Sequence, residues 1–211
     1  MITLGLSPPY VLEDVKQAYR ERARATHPDR GGSSAAFNEV QQAFERAQAY
    51  LEFRADRRGW IAAKMARYAA LQQAVERLRR LGATVDAQAP QWLQESFGDF
   101  AQLTESVKSV TLAGPADGDA LIRALVAHQP SLRELQILEL PGCRVSDAAV
   151  LSLGAFQQLR RLDLSRTAVT RRALAVVDAI EALQELVLDG TSIGWWPRRR
   201  VEVKLRRRRA V

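Results

Sequence analysis

Apolar and polar positions change period along the chain, and the changes divide it into regions. Residues 8 to 26, PPYVLEDVKQAYRERARAT, open on prolines suited to a first helical turn, and Val11, Val15, Ala18 and Tyr19 mark one apolar stripe. A helix is expected here, stopping at Thr26 to Pro28, because proline disfavours helical geometry in the residue before it and lacks a donor. Gly31, Gly32, Ser33 and Ser34 then form a turn and a cap, and Phe37, Val40, Ala43, Phe44 and Ala47 recur at spacings of three and four. Two helices joined by so short a loop pack antiparallel, stripe against stripe, which puts His27, Pro28 and Asp29 at the tip of the hairpin.

From Phe53 to Leu81 no proline intervenes and Gly59 is the one glycine. Ile61, Tyr68 and Val75 repeat every seven residues, with Leu71 and Leu78 offset by three, the pattern of a packed helix. It is expected to lie on a neighbouring domain, or else to bind a partner. Gly82 to Pro90 reads as a hinge, and Trp92, Leu93, Phe97, Phe100 and Leu103 as an amphipathic run that caps the C-terminal half of the chain.

That second half is periodic on a longer scale. Leu135, Leu138, Leu140, Cys143, Val145, Val150 and Leu153 return as Leu159, Leu162, Leu164, Thr167, Val169, Leu174 and Val177, each 24 residues on. Leu183, Leu186, Leu188, Thr191 and Ile193 continue the series, and Val107, Val110, Leu112, Pro115, Asp117, Ile122 and Leu125 precede it with four extra residues before the next unit. Each unit reads as a short strand, a turn and a helix, so about four units over 107–197 stack into an arc with a parallel sheet. Cys143 shares its column with Thr167 and Thr191, which gives it a structural role. The residues between the leucines, Thr111, Glu139, Arg161, Asp163 and Glu185 among them, face the other way and form a candidate partner-binding concave surface. Beyond Trp195, Trp196 and Pro197, the alternation of Val201, Val203 and Leu205 with charge predicts an edge strand over 198–211, with the tryptophans covering its end.

Charge sharpens this division. The chain carries a net charge of +7, and residues 198 to 209 hold eight basic side chains against Glu202, so the remainder is neutral overall. That cluster either guards an exposed sheet edge or binds nucleic acid, a ribosome or another acidic surface. Lys16, Arg20 and Arg24, at i, i+4 and i+8, form a second basic stripe beside the hairpin tip. A single cysteine, Cys143, excludes an internal disulfide and paired-cysteine zinc sites. No apolar run approaches the roughly 18 residues of a membrane helix, and Met1 to Leu6 lack the regions of a signal peptide, so a cytoplasmic protein is expected. Nothing supports catalysis, a cofactor or a metal: His27, His128 and Cys143 are far apart, and no glycine-rich phosphate loop follows a strand.

Leu4-Gly5-Leu6, the Lys16 to Arg24 helix with Tyr19, the His27-Pro28-Asp29 tripeptide and the Phe37 to Phe44 helix together resemble the J-domain family over about residues 1–52. Arg22, at a position usually leucine-like, and Thr26, in place of an aromatic, depart from its pattern. The 24-residue repeat resembles the leucine-rich repeat family. The first resemblance implies a co-chaperone. His27, Pro28 and Asp29, with Lys16, Arg20 and Arg24, would bind a DnaK-type chaperone ATPase, Asp29 contacting a partner arginine, and stimulate its hydrolysis in trans. The second implies an array that binds a client or partner protein. The expected architecture is α plus α/β: hairpin (1–52), linker helix (53–82), hinge and cap (83–106), repeats (107–197) and basic edge strand (198–211). The alternatives are a repeat scaffold uncoupled from any chaperone, and a nucleic-acid- or ribosome-associated protein acting through the arginine-rich tail.

Overall fold

The computed structural model describes residues 2–6, 10–28, 31–88 and 105–209. The chain forms two compact units, Met1–Lys64 and Met65–Val211. Asp29 and the run from Trp92 to Leu103 lie outside the described residues.

In the first unit a short 3-10 turn, Ile2–Leu4, precedes helices α1 (Leu12–Thr26) and α2 (Ser34–Ala55). The Asp14 carboxylate accepts the Val11 N–H at 2.9 Å, closing the start of α1. Ser33 Oγ accepts the Ala36 N–H at 3.0 Å, capping α2. Leu4, Val15, Val40 and Ala47 are buried between the helices, with Tyr19 and Phe44 packed around them. Those two rings stack with centroids 4.3 Å apart. Helix α3 (Arg57–Arg80) is separate from α2. Asp56 interrupts the helical run, and its carboxylate takes the Gly59 N–H at 2.9 Å, so the linker helix begins four residues later than the sequence pattern placed it.

The second unit is built on a five-stranded sheet in the order β1 (Thr84–Gln88), β2 (Ser106–Thr111), β3 (Ile137–Glu139), β4 (Arg161–Asp163), β5 (Glu185–Val187). From β2 onward neighbours run parallel. From β3 onward the register advances 24 residues per strand, Arg161 standing opposite Glu185. Helices α4 (Gly118–Ala127), α5 (Asp147–Ser152) and α6 (Val176–Ala179) connect them. Leu138, Leu162, Leu140 and Leu164 are fully buried with Phe156, while the strand residues beside them are half exposed. Leu71, Ala74, Val75 and Leu78 of α3 join this core, so the seven-residue pattern marks a helix that closes the first end of the array.

The turns after β2, β3, β4 and β5 each use one left-handed residue: Gly114, Gly142, Arg166 and Gly190, with φ of 85°, 73°, 55° and 72°. Three units supply glycine, which adopts this conformation without a Cβ penalty; the fourth holds an arginine there.

Two expectations are corrected. Gly82 to Pro90 is not simply a hinge: Gly82 turns the chain at φ 88° and β1 follows, antiparallel to β2, so the sheet is mixed rather than parallel. Val85 is buried and Ala87 packs against the core, which stabilises a strand where the sequence offers only five residues of alternation. Residues 198–209 do not form an edge strand. They belong to helix α7 (Trp195–Arg209), which packs against β5. The spacing of Val201 and Leu205 also fits one helical face, and arginine, lysine and glutamate favour helix. Leu205 is buried, Val201 packs against the core and Val203 is exposed, as one face of a helix requires. Trp195 and Trp196 are 65% and 69% exposed, so they cover nothing.

Candidate functional site

The hairpin tip is built by the helix end. Thr26 Oγ1 donates to the Arg22 carbonyl at 3.0 Å, and α1 stops as His27 turns to extended backbone, φ −64° and ψ 131°. The chain then folds back: Gly31 N–H donates to the Pro28 carbonyl and Gly32 N–H to the His27 carbonyl, both at 3.1 Å. Gly31 takes φ 84°, and a Cβ on Gly32 would overlap the Thr26 backbone, so the tight return demands both glycines. The His27 ring is half-buried and meets Phe37 of α2 edge-on, centroids 5.4 Å apart at 80°. His27 and Pro28 are therefore held at the tip by both helices.

Beside them, Lys16, Arg20 and Arg24 follow one another at one-turn intervals along α1, flanking the apolar face that carries Val15 and Ala23. Lys16 is half-buried and loosely paired with Glu13 at 3.9 Å; Arg20 and Arg24 are exposed. A cationic stripe running up to a rigid loop can attract and orient an acidic protein surface. The departures also have places. Arg22 is exposed, its guanidinium near Gly5 at the start of the chain, and Thr26 serves the helix end.

On the sheet, residues of the expected partner-facing set are joined to one another. Thr111 Oγ1 donates to Glu139 Oε2 at 3.3 Å; Arg161 Nε stands 3.3 Å from Glu139 Oε1 and its Nη1 donates to Glu185 Oε1 at 2.8 Å. This ladder crosses β2 to β5. Asp163 is drawn aside, its Oδ1 accepting the Ser165 N–H at 2.7 Å. A neighbouring cluster that the sequence does not reveal joins Glu134 to Lys108 at 2.6 Å and to Arg67 of α3 at 3.6 Å. Burial pushes the Glu134 carboxyl up, but hydrogen bonds from Lys108 and Ser106 and the charges of Lys108 and Arg67 outweigh it and hold the group below its usual range.

Cys143 is buried, its Sγ within 3.1 Å of the Leu112 carbonyl, and burial pushes its thiol up. In the same column Thr167 and Thr191 Oγ1 donate to the Leu164 and Leu188 carbonyls at 2.7 and 2.8 Å. Among the described residues no cluster of side chains is arranged to hold a metal, and no helix is long and apolar enough to cross a membrane.

Several basic side chains of α7 are tied to the repeats. Arg198 donates to the Ile193 carbonyl at 2.8 Å and to the Thr191 carbonyl at 2.9 Å; Arg208 donates to the Ile180 and Leu183 carbonyls at 2.8 and 3.3 Å. Lys204 pairs with Asp178, which holds that carboxyl below its usual range.

No family model matches the chain. A stretch of 42 residues is 48% identical to part of DnaJ protein homolog 2 of Allium porrum, covering 20% of this chain and 10% of that protein. The chain thus spans about a tenth of the length of the curated relative it matches, and what it shares with that DnaJ homologue is one short segment.

Proposed function

We propose that this protein is a J-domain co-chaperone that recruits a DnaK-type chaperone ATPase and stimulates its ATP hydrolysis, while a leucine-rich-repeat array binds a client or partner protein. The observation that carries the reading is the 48% identity to a DnaJ homologue, which agrees with the helical hairpin whose tip presents His27 and Pro28. In this reading His27, Pro28 and Asp29 dock on the ATPase, and Lys16, Arg20 and Arg24 steer the encounter electrostatically, so association weakens as salt rises. The 24-residue register of β3 to β5 and the recurring left-handed turn support reading the second unit as leucine-rich repeats. Its partner would meet the β-strand face. A cytoplasmic location belongs to the same reading.

The test is single-turnover ATP hydrolysis by a DnaK-type chaperone with the full chain and with His27→Gln. Stimulation by the wild type that the variant loses is the expected result. Equal rates with both proteins would leave the second unit as an interaction scaffold uncoupled from the chaperone, the reading favoured by the exposed Arg22 at a usually leucine-like position.

A further inference from the structure

Helix α7 divides its side chains sharply. Val201, Leu205, Arg198 and Arg208 turn toward the repeats, where the apolar pair packs and the arginines bind backbone carbonyls. At 100° per residue, Trp196, Arg200 and Arg207 turn away from that face, and Lys204 stands at its margin, paired with Asp178. Trp196, Arg200 and Lys204 line one wall of a groove of about 800 Å³ whose other wall includes Arg171 and Leu174. Among the described residues, Arg171, Arg200 and Arg207 are exposed and engaged in no ion pair, whereas Lys204 pairs with Asp178 and Arg198 and Arg208 donate to backbone carbonyls. Trp196 meets Trp195 edge-on at 4.9 Å, leaving two large rings in solvent at the mouth of the groove. Contiguous exposed apolar surface of this kind commonly marks an interaction site.

We infer that this outer face of α7, with Trp195 and Trp196 as stacking surfaces and Arg171, Arg200 and Arg207 as phosphate contacts, binds single-stranded nucleic acid. Exposed aromatic rings beside unpaired cations match the chemistry of unstacked bases joined by phosphates. Because Trp196 to Arg207 spans about 17 Å at 1.5 Å per residue, the stripe follows about five nucleotides of stacked strand at 3.4 Å each. An anionic membrane fits less well: Val201 and Leu205 face inward, and Val203 alone adds an aliphatic side chain to the exposed tryptophans, too little for an apolar stripe along the acyl boundary. An acidic polypeptide would satisfy the cations and leave the rings without partners. The inference does not depend on the hairpin reading, since every residue belongs to the second unit.

Fluorescence anisotropy of a labelled 12-nucleotide single-stranded RNA, titrated with the full chain, tests it. Binding is expected, weakened at least about fivefold by Trp196→Ala, the scale of one lost base stack. Arg200→Ala with Arg207→Ala should weaken it too and reduce the slope of log affinity against log salt by about 1.4, at roughly 0.7 per phosphate contact. All three side chains are exposed, and coincident thermal melts of variants and wild type confirm the fold. Failure to bind, equal affinity of Trp196→Ala and wild type, equal competition by poly-glutamate, or preference for phosphatidylserine vesicles over RNA would each overturn the inference.

Discussion

The two units solve the same problem with very different depth. In the hairpin, the layer between two helices holds Leu4, Val15, Val40 and Ala47 fully covered, with Tyr19 and Phe44 at its margin. In the sheet unit a continuous core runs from Leu71 in α3 to Leu205 in α7, including all the inward leucines of β3 and β4. Burial scales with size, so the thin hairpin leans on local devices such as the Asp14 and Ser33 caps and the glycine return, while the sheet unit leans on packing.

The most severe way to probe that contrast is Phe156→Ala. Phe156 is fully buried, and its truncation is expected to cost about 3–5 kcal/mol. Urea unfolding followed by circular dichroism should show the sheet unit's midpoint falling sharply, and an unchanged midpoint would contradict so deep a core. Phe44→Ala removes half of the stacked ring pair and is expected to cost about 2–3 kcal/mol. Native-state amide exchange should then accelerate across α1 while the amides of β3 and β4 keep their protection. Loss of protection in both would mean the two units open together. The smallest effect is a gain: Arg166→Gly relieves a left-handed arginine in a column of glycines and is expected to stabilise the sheet unit by about 1 kcal/mol. A thermal melt should rise by about 2–4 °C, and no rise would mean that turn carries no strain.

The hairpin and the array were legible for different reasons. In the hairpin, helical spacing, Pro28 and the paired glycines all act within a few residues, so α1 ends at Thr26 as the sequence predicts. In the array, the 24-residue recurrence carries the register directly. What escaped is where short patterns serve two structures: Val201 to Leu205 satisfies both a strand and a helix, and only contact with β5 decides between them. The linkage of Glu139 and Glu185 through Arg161 was not legible, because neighbours on adjacent strands are a full repeat apart in sequence.

Helix α7 also settles the length of the array. It packs against β5, the strand on which another 24-residue unit would stack, and Leu205 completes the last layer of core. At the far end β1 runs antiparallel and breaks register between Asp86 and Ala87, so the two ends of the sheet are unlike. Helix α7 therefore occupies the place where a further repeat would add to β5. A copy extending the sheet from β5 would first have to displace α7, an obstacle to the open-ended filament that repeat surfaces otherwise invite.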